Sequence, residues 1–149
     1  MLESGLTEGT KRVMGDGDYR RLFDFRGRLL RFQRTSDQRI RRAGLTPSQY
    51  LLLLAVRASD SELGPTIGEV AEFLMLKHHS VVELVDRAAA AGLLRRSSDP
   101  DDGRVVRLRL MAAGRDRLER IAAENFRELG RLRLLDEGLG RATGDVALS

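Results

Sequence analysis

Residues 92–110, GLLRRSSDPDDGRVVRLRL, break with the rest of the chain. Upstream, apolar residues recur every three or four positions, as on helices. From Val106 to Leu110 they alternate strictly with Arg107 and Arg109. A period of two belongs to a strand with one apolar and one basic face. The segment SSDPDDG, residues 97–103, is dense in turn formers. The stretch therefore predicts a β-hairpin with an extended tip, set among helices.

Directly before it stands VAEFLMLKHHSVVELVDR, residues 70–87. Thr66-Ile67-Gly68-Glu69 has the form of a capping box and predicts a short helix to about Leu74. A turn of three or four residues leads to a second helix, from about His78 to Ala91. Gly92 lies just past its end, where a left-handed residue is wanted. Two short helices joined by a tight turn make a helix-turn-helix. At 100° per residue, Val81, Leu84, Val85 and Ala88 of the second helix share a core-facing side. His79, Glu83, Asp86 and Ala90 lie opposite, with Ser80 and Arg87 on one flank and Val82 on the other. His78 falls nearer the core edge than His79.

Further out, Thr46-Pro47-Ser48-Gln49 is a second capping box, with proline at the first helical position. Leu45 and Tyr50 are placed as its hydrophobic staple, and LLLLAV (51–56) is apolar on every side, as in a helix buried from several directions. From Asp18 to Arg42 runs a polar helix with one narrow stripe, Leu22, Phe25, Leu29 and Phe32, suited to pairing with another helix. From Ala112 a last helix carries Leu118, Ile121, Ala122, Asn125, Leu129 and Leu132 on one face. Residues 1–17 and 136–149 show no sustained period.

The totals narrow the function classes. The 149 residues include no cysteine, which excludes disulfides, thiolate zinc sites and thiol redox chemistry. The longest apolar run, Leu51 to Val56, is far too short to span a bilayer. The N-terminal residues lack the apolar core of a secretory signal, so a cytoplasmic protein is expected. Of 26 basic side chains only Lys11 and Lys77 are lysine. Arginine suits bidentate contact with phosphate or guanine, but at a net charge of +4 solvated helix faces account for the basicity equally well. No glycine-rich phosphate loop, nucleophile motif or triad partner for a histidine base is present, so no enzyme is expected. His78 and His79 point about 100° apart and cannot readily chelate one ion. His79 with Glu83 has no further histidine or cysteine to complete a site. No metal and no cofactor are expected.

Taken in order, LTPSQYLLLLAV, VAEFLMLKHHSVVELVDR and GLLRRSSDPDDGRVVRLRLMAAGRDRL resemble the MarR family of bacterial transcriptional regulators over roughly residues 18–135. The last segment is the most specific, with its Asp-x-Arg tip and the Gly-Arg that opens the following helix. The resemblance implies a mainly α fold with a small β-wing, a winged helix-turn-helix flanked by N- and C-terminal dimerisation helices. The chain then divides into a flexible N-terminus (1–17), a dimerisation helix (18–45), the DNA-binding region (46–111), a second dimerisation helix (112–135) and a flexible tail (136–149), all one structural domain. It further implies a homodimer on a pseudo-palindromic operator in double-stranded DNA, usually a repressor, released by a small, often aromatic, effector bound between the two parts.

Carried onto this chain, the resemblance gives Leu22, Phe25, Leu29, Phe32, Leu118, Ile121, Leu129 and Leu132 as the dimer interface. Lys77, His78, His79 and Ser80 would enter the major groove, Val82 would touch a thymine methyl, and Arg87 would meet phosphate or guanine. Arg104 matches the family arginine of the minor groove, Asp102 the acid that holds that arginine or the turn backbone, and Arg107 projects from the strand. Arg109 projects from the strand as well, and Arg95 or Arg96 would add backbone contacts. Phe32 and Tyr50 are the candidates for an effector pocket, although the staple alone accounts for Tyr50.

Three departures stand out. Glu83 occupies a position often basic in the family; it either accepts from a cytosine amino group or, as expected here, pairs with His79 one turn earlier. Gly103 replaces an arginine at the wing tip. Met111 replaces a capping threonine, which costs the last helix about 1 kcal/mol. Glu83 and Asp86 together support a rival function, a winged-helix module that binds protein and has little DNA affinity.

Overall fold

The computed structural model describes residues 13–133. In chain order the elements are α1 (Asp16–Arg42), α2 (Pro47–Ala58), α3 (Ile67–Leu74), α4 (His78–Ala90), β1 (Leu94–Ser98), β2 (Val106–Leu110) and α5 (Ala112–Arg131). The two strands form an antiparallel ladder from Leu94↔Leu110 to Ser98↔Val106. This is the mainly α architecture with a small β-wing that the sequence predicts. The expectations for residues 1–12 and 134–149 lie outside the described residues. Among the described residues, no helix is long and apolar enough to cross a membrane.

The helix boundaries follow from caps. Thr46 Oγ1 accepts from Gln49 N at 3.1 Å and Gln49 Oε1 from Thr46 N at 3.0 Å. Thr66 and Glu69 repeat the exchange at 3.1 and 2.9 Å. α1 begins two residues before the predicted start because Asp18 accepts from Gly15 N at 3.1 Å, closing the first turn. α3 ends on Met75 in the left-handed region (φ 53°), a conformation that costs a non-glycine residue roughly 1 kcal/mol. Gly92, at φ 71°, ends α4 as expected. Met111 gives α5 no side-chain cap, but its N–H donates to Leu93 O at 2.9 Å and fixes the helix start to the wing.

The core gathers around α2. Leu52, Leu53, Val70, Val81, Val85, Leu93, Leu94 and Leu108 are fully buried, each worth about 1.5–3 kcal/mol in apolar area removed from water. The buried face of α4 is Val81, Leu84, Val85 and Ala88, the side that 100° per residue selects. Leu45 and Tyr50 are both buried, as a staple requires. α2 is not enclosed on every side, however: Leu51 is 42 % exposed. Leu118 and Ile121, expected at the dimer seam, are instead buried in this chain's own core. The last helix must cover α2 before it can offer any face to a partner, and these two residues do the covering.

Two glycines permit close approaches that position the wing. A Cβ on Gly114 would lie 2.0 Å from Leu93 O, so only glycine lets α5 start against the residue that precedes β1. Gly64 has φ 86°, and a Cβ there would lie 2.0 Å from Leu108 O. Beside it Pro65 O accepts from Leu108 N at 3.0 Å, and Thr66 bridges to Arg107. The segment before α3 thus adds a short third edge to the hairpin, a pairing that local turn chemistry does not reveal.

Candidate nucleic-acid interface and an interhelical cavity

The first turn of α4 stands clear of the protein. Lys77, its N-cap, and His78 and His79 are all exposed, while Ser80 is half-buried. His78, expected nearer the core edge than His79, is exposed like its neighbour. Both precede Val81, the first position of the helix that the core covers. Val82 is half-buried against the core, so only part of its side chain is available to a groove. Arg87 is exposed one turn farther on.

The acids on the same helix behave differently from one another. Asp86 pairs with Arg96, which reaches across from β1. Glu83 is exposed and, among the described residues, forms no ion pair with His79. The expected i,i+4 contact is therefore not made. The Asp86–Arg96 pair was not legible, because it joins a helix face to a strand whose register the sequence leaves open.

At the wing tip, Asp102 holds the turn backbone: its Oδ1 accepts from Arg104 N at 3.0 Å and its carbonyl from Val105 N at 3.0 Å. The guanidinium of Arg104 is exposed and meets no carboxylate among the described residues. Behind it lies Asp99, buried and outside the sequence-predicted set. Asp99 Oδ1 accepts from Asp101 N at 2.8 Å and Asp102 N at 3.3 Å, and Oδ2 from Arg107 Nε at 2.8 Å. These backbone and guanidinium donors hold its carboxyl below the usual carboxylate range. Arg107 Nη1 continues to Gly64 O at 3.2 Å. Arg107 is thus turned inward, and the expectation that it projects toward DNA is not met. The third edge at residues 64–66 covers its side of the sheet. Arg95 and Arg109 face one another across the ladder and, with Arg57 and Arg115, border a cavity of about 360 Å³ on the flank.

A second cavity, of about 480 Å³, opens between α1, α2 and α5. Phe32 and Tyr50, the two effector-pocket candidates, both line it, with Leu51, Leu54 and Phe126. Its floor is a polar network: Asn125 Nδ2 donates to Ser36 Oγ at 2.8 Å and to Tyr50 Oη at 3.2 Å. Asn125 Oδ1 accepts from Arg39 Nη1 at 3.1 Å. Arg39 is in turn ion-paired to Glu124 and Glu128, and Thr35 Oγ1 donates to Glu128 at 2.7 Å. Among the described residues, no group of three or more His, Asp or Glu side chains is placed to hold a metal ion.

Residues 43–105 match the model of the MarR family. No curated protein matches the sequence. Among solved structures, the chain resembles a MarR family protein from Bacillus stearothermophilus at 23 % identity and a TM-score of 0.68, covering 80 % of this chain and 82 % of that one. AbsC, a MarR family transcriptional regulator from Streptomyces coelicolor, is similar at 17 % identity and a TM-score of 0.67, over 86 % and 93 %. A mutant MepR of S. aureus, bound to an oligodeoxyribonucleotide, is similar at 19 % identity and a TM-score of 0.61, over 87 % and 84 %. At these identities the likeness is one of fold.

Proposed function

From a chain with the MarR fold and a MarR family match over its helix-turn-helix and wing, we propose a sequence-specific, double-stranded-DNA-binding transcriptional regulator. It acts as a homodimeric repressor on a pseudo-palindromic operator and is released by a small aromatic effector. The observation that carries this reading is the pairing of an open first turn on α4 with an exposed Arg104, unpaired among the described residues, on a tip fixed by Asp102. MepR, similar in fold, is seen on an oligodeoxyribonucleotide, which supports the same use of this architecture.

In this function Lys77, His78, His79 and Ser80 address base edges and phosphates of the major groove, with Val82 at the margin and Arg87 on the flanking backbone. Arg104 enters the minor groove, where a narrow A·T segment concentrates negative potential. Arg107 serves from inside, by holding the wing. An effector in the cavity between α1, α2 and α5 shifts the balance between DNA-competent and released arrangements to the extent that it binds them unequally.

The test is a titration against promoter DNA at two salt concentrations. Specific binding that weakens steeply with salt is expected, since phosphate contacts release counterions. Arg104→Ala weakens binding on most sequences, whereas His79→Ala relaxes preference at particular bases. Absence of DNA affinity at low salt sinks the proposal. It would favour the one rival that an observation supports, a protein-binding winged helix, since Glu83 leaves an exposed carboxylate, unpaired among the described residues, beside the recognition turn.

A further inference from the structure

The cavity between α1, α2 and α5 has a charge character of its own. Its wall is largely aromatic and aliphatic, and its volume of about 480 Å³ lies in the range of small-molecule sites. Among the described residues, no arginine, lysine or histidine lines it. Arg39, the nearest cation of the network beneath, is already held by Glu124 and Glu128. Among the described residues, the one charged group on the wall is Asp37. It is half-buried, and among the described residues it forms no ion pair or hydrogen bond, not even with Arg34 or Arg41 a turn to either side. Tyr50 Oη, which already accepts from Asn125, keeps its own O–H to donate.

We propose that this cavity takes aromatic cations, with the ligand's protonated amine on Asp37, and discriminates against aromatic carboxylates. A carboxylate placed there would meet Asp37 in an apolar wall with no cation to offset the repulsion. An ammonium would supply the partner that Asp37 lacks, while its ring packs on Phe32, Leu54 and Phe126 and an adjacent oxygen accepts from Tyr50. The inference rests on the proposal that an effector binds at this site, and names its chemistry.

The experiment is calorimetric titration of the full-length protein, without DNA, with three probes sharing one ring system: 1-naphthylmethylamine, 1-naphthylmethanol and 1-naphthoate. At pH 7 the amine is expected to bind at least about tenfold tighter than the carboxylate, with the alcohol between them. Asp37→Asn, nearly isosteric and without a partner to lose, is expected to bring amine and alcohol within roughly twofold of each other while the melting temperature stays put. Carboxylate binding equal to or tighter than amine binding overturns the charge assignment but leaves effector binding standing. No binding by any probe overturns both, and the promoter titration is unaffected by either result. An amine that binds tightly but keeps its advantage in Asp37→Asn also overturns the role of Asp37.

Discussion

Asp99 receives three hydrogen bonds, from two tip N–H groups and from Arg107, and Arg107 passes the connection on to Gly64 O. One carboxylate therefore sets the curl of the tip and ties it to the segment before α3. Arg104 is five residues farther along this fixed turn, so its aim depends on Asp99 without contact between their side chains. Asp99→Asn keeps the shape but removes the charge that offsets a largely buried guanidinium. Operator affinity is expected to fall roughly tenfold, with little loss of helical signal by circular dichroism and an unchanged base preference at the positions read by α4. If Asp99→Asn binds operator as wild type does, Arg104 is aimed by Asp102 alone. The sequence displayed the turn, through Pro100, Asp102 and Gly103, and it displayed the alternation of β2. It could not display that Arg107 faces inward, because a period of two separates faces without saying which one a distant segment covers.

At the scale of elements, α1 and α5 are joined by a set of polar contacts. Burial works against the charge on Glu128, but Thr35 and Arg39 outweigh it and hold its carboxyl below the ordinary value. A carboxylate whose pKa is lower folded than unfolded stabilises the fold above its unfolded value, near 4, and loses that contribution as pH falls through the folded value. The melting temperature is therefore expected to be level between about pH 7 and 5 and to drop below about pH 4, with Glu128 and Asp99 both contributing to the loss. Glu128→Ala leaves Arg39 with Glu124 and Asn125 and is expected to cost about 2 kcal/mol, a fall of roughly 5–8 °C at pH 7, with a shallower acid limb. An acid limb as steep as wild type would assign the acid sensitivity elsewhere. The capping boxes of α2 and α3 and the buried face of α4 were legible because each is written within four to eight consecutive residues. The Glu128 contacts were not, since Thr35 and Arg39 are remote in sequence and no local pattern names them.

At the scale of the whole molecule, α1 leaves several large apolar side chains uncovered. Tyr19, Leu22, Phe23 and Leu30 on α1 are exposed, Phe23 to 78 %. Of the seam expected on α1, Phe25, Leu29 and Phe32 are half-buried within the chain, and only Leu22 is exposed. Tyr19, Phe23 and Leu30 form a second stripe that the arginines between them obscure in the sequence. Side chains of this size in solvent mark an association surface, and a second copy is the occupant the proposed homodimer requires. Phe23→Asp places a charge in the middle of the stripe, far from the wing and from α4. It is expected to give a monomer by sedimentation, with a melting temperature no longer dependent on protein concentration. Each subunit would keep its own contacts with a half-site, but the two half-sites, about 34 Å apart, would no longer be engaged together. Because that linkage supplies effective concentration and not contacts, operator affinity should fall by roughly a hundredfold or more, while affinity for a single half-site stays within about twofold of wild type. A Phe23→Asp protein that remains a dimer would move the interface off this stripe. Equal losses on operator and half-site would show that the substitution had reached the DNA-binding unit itself.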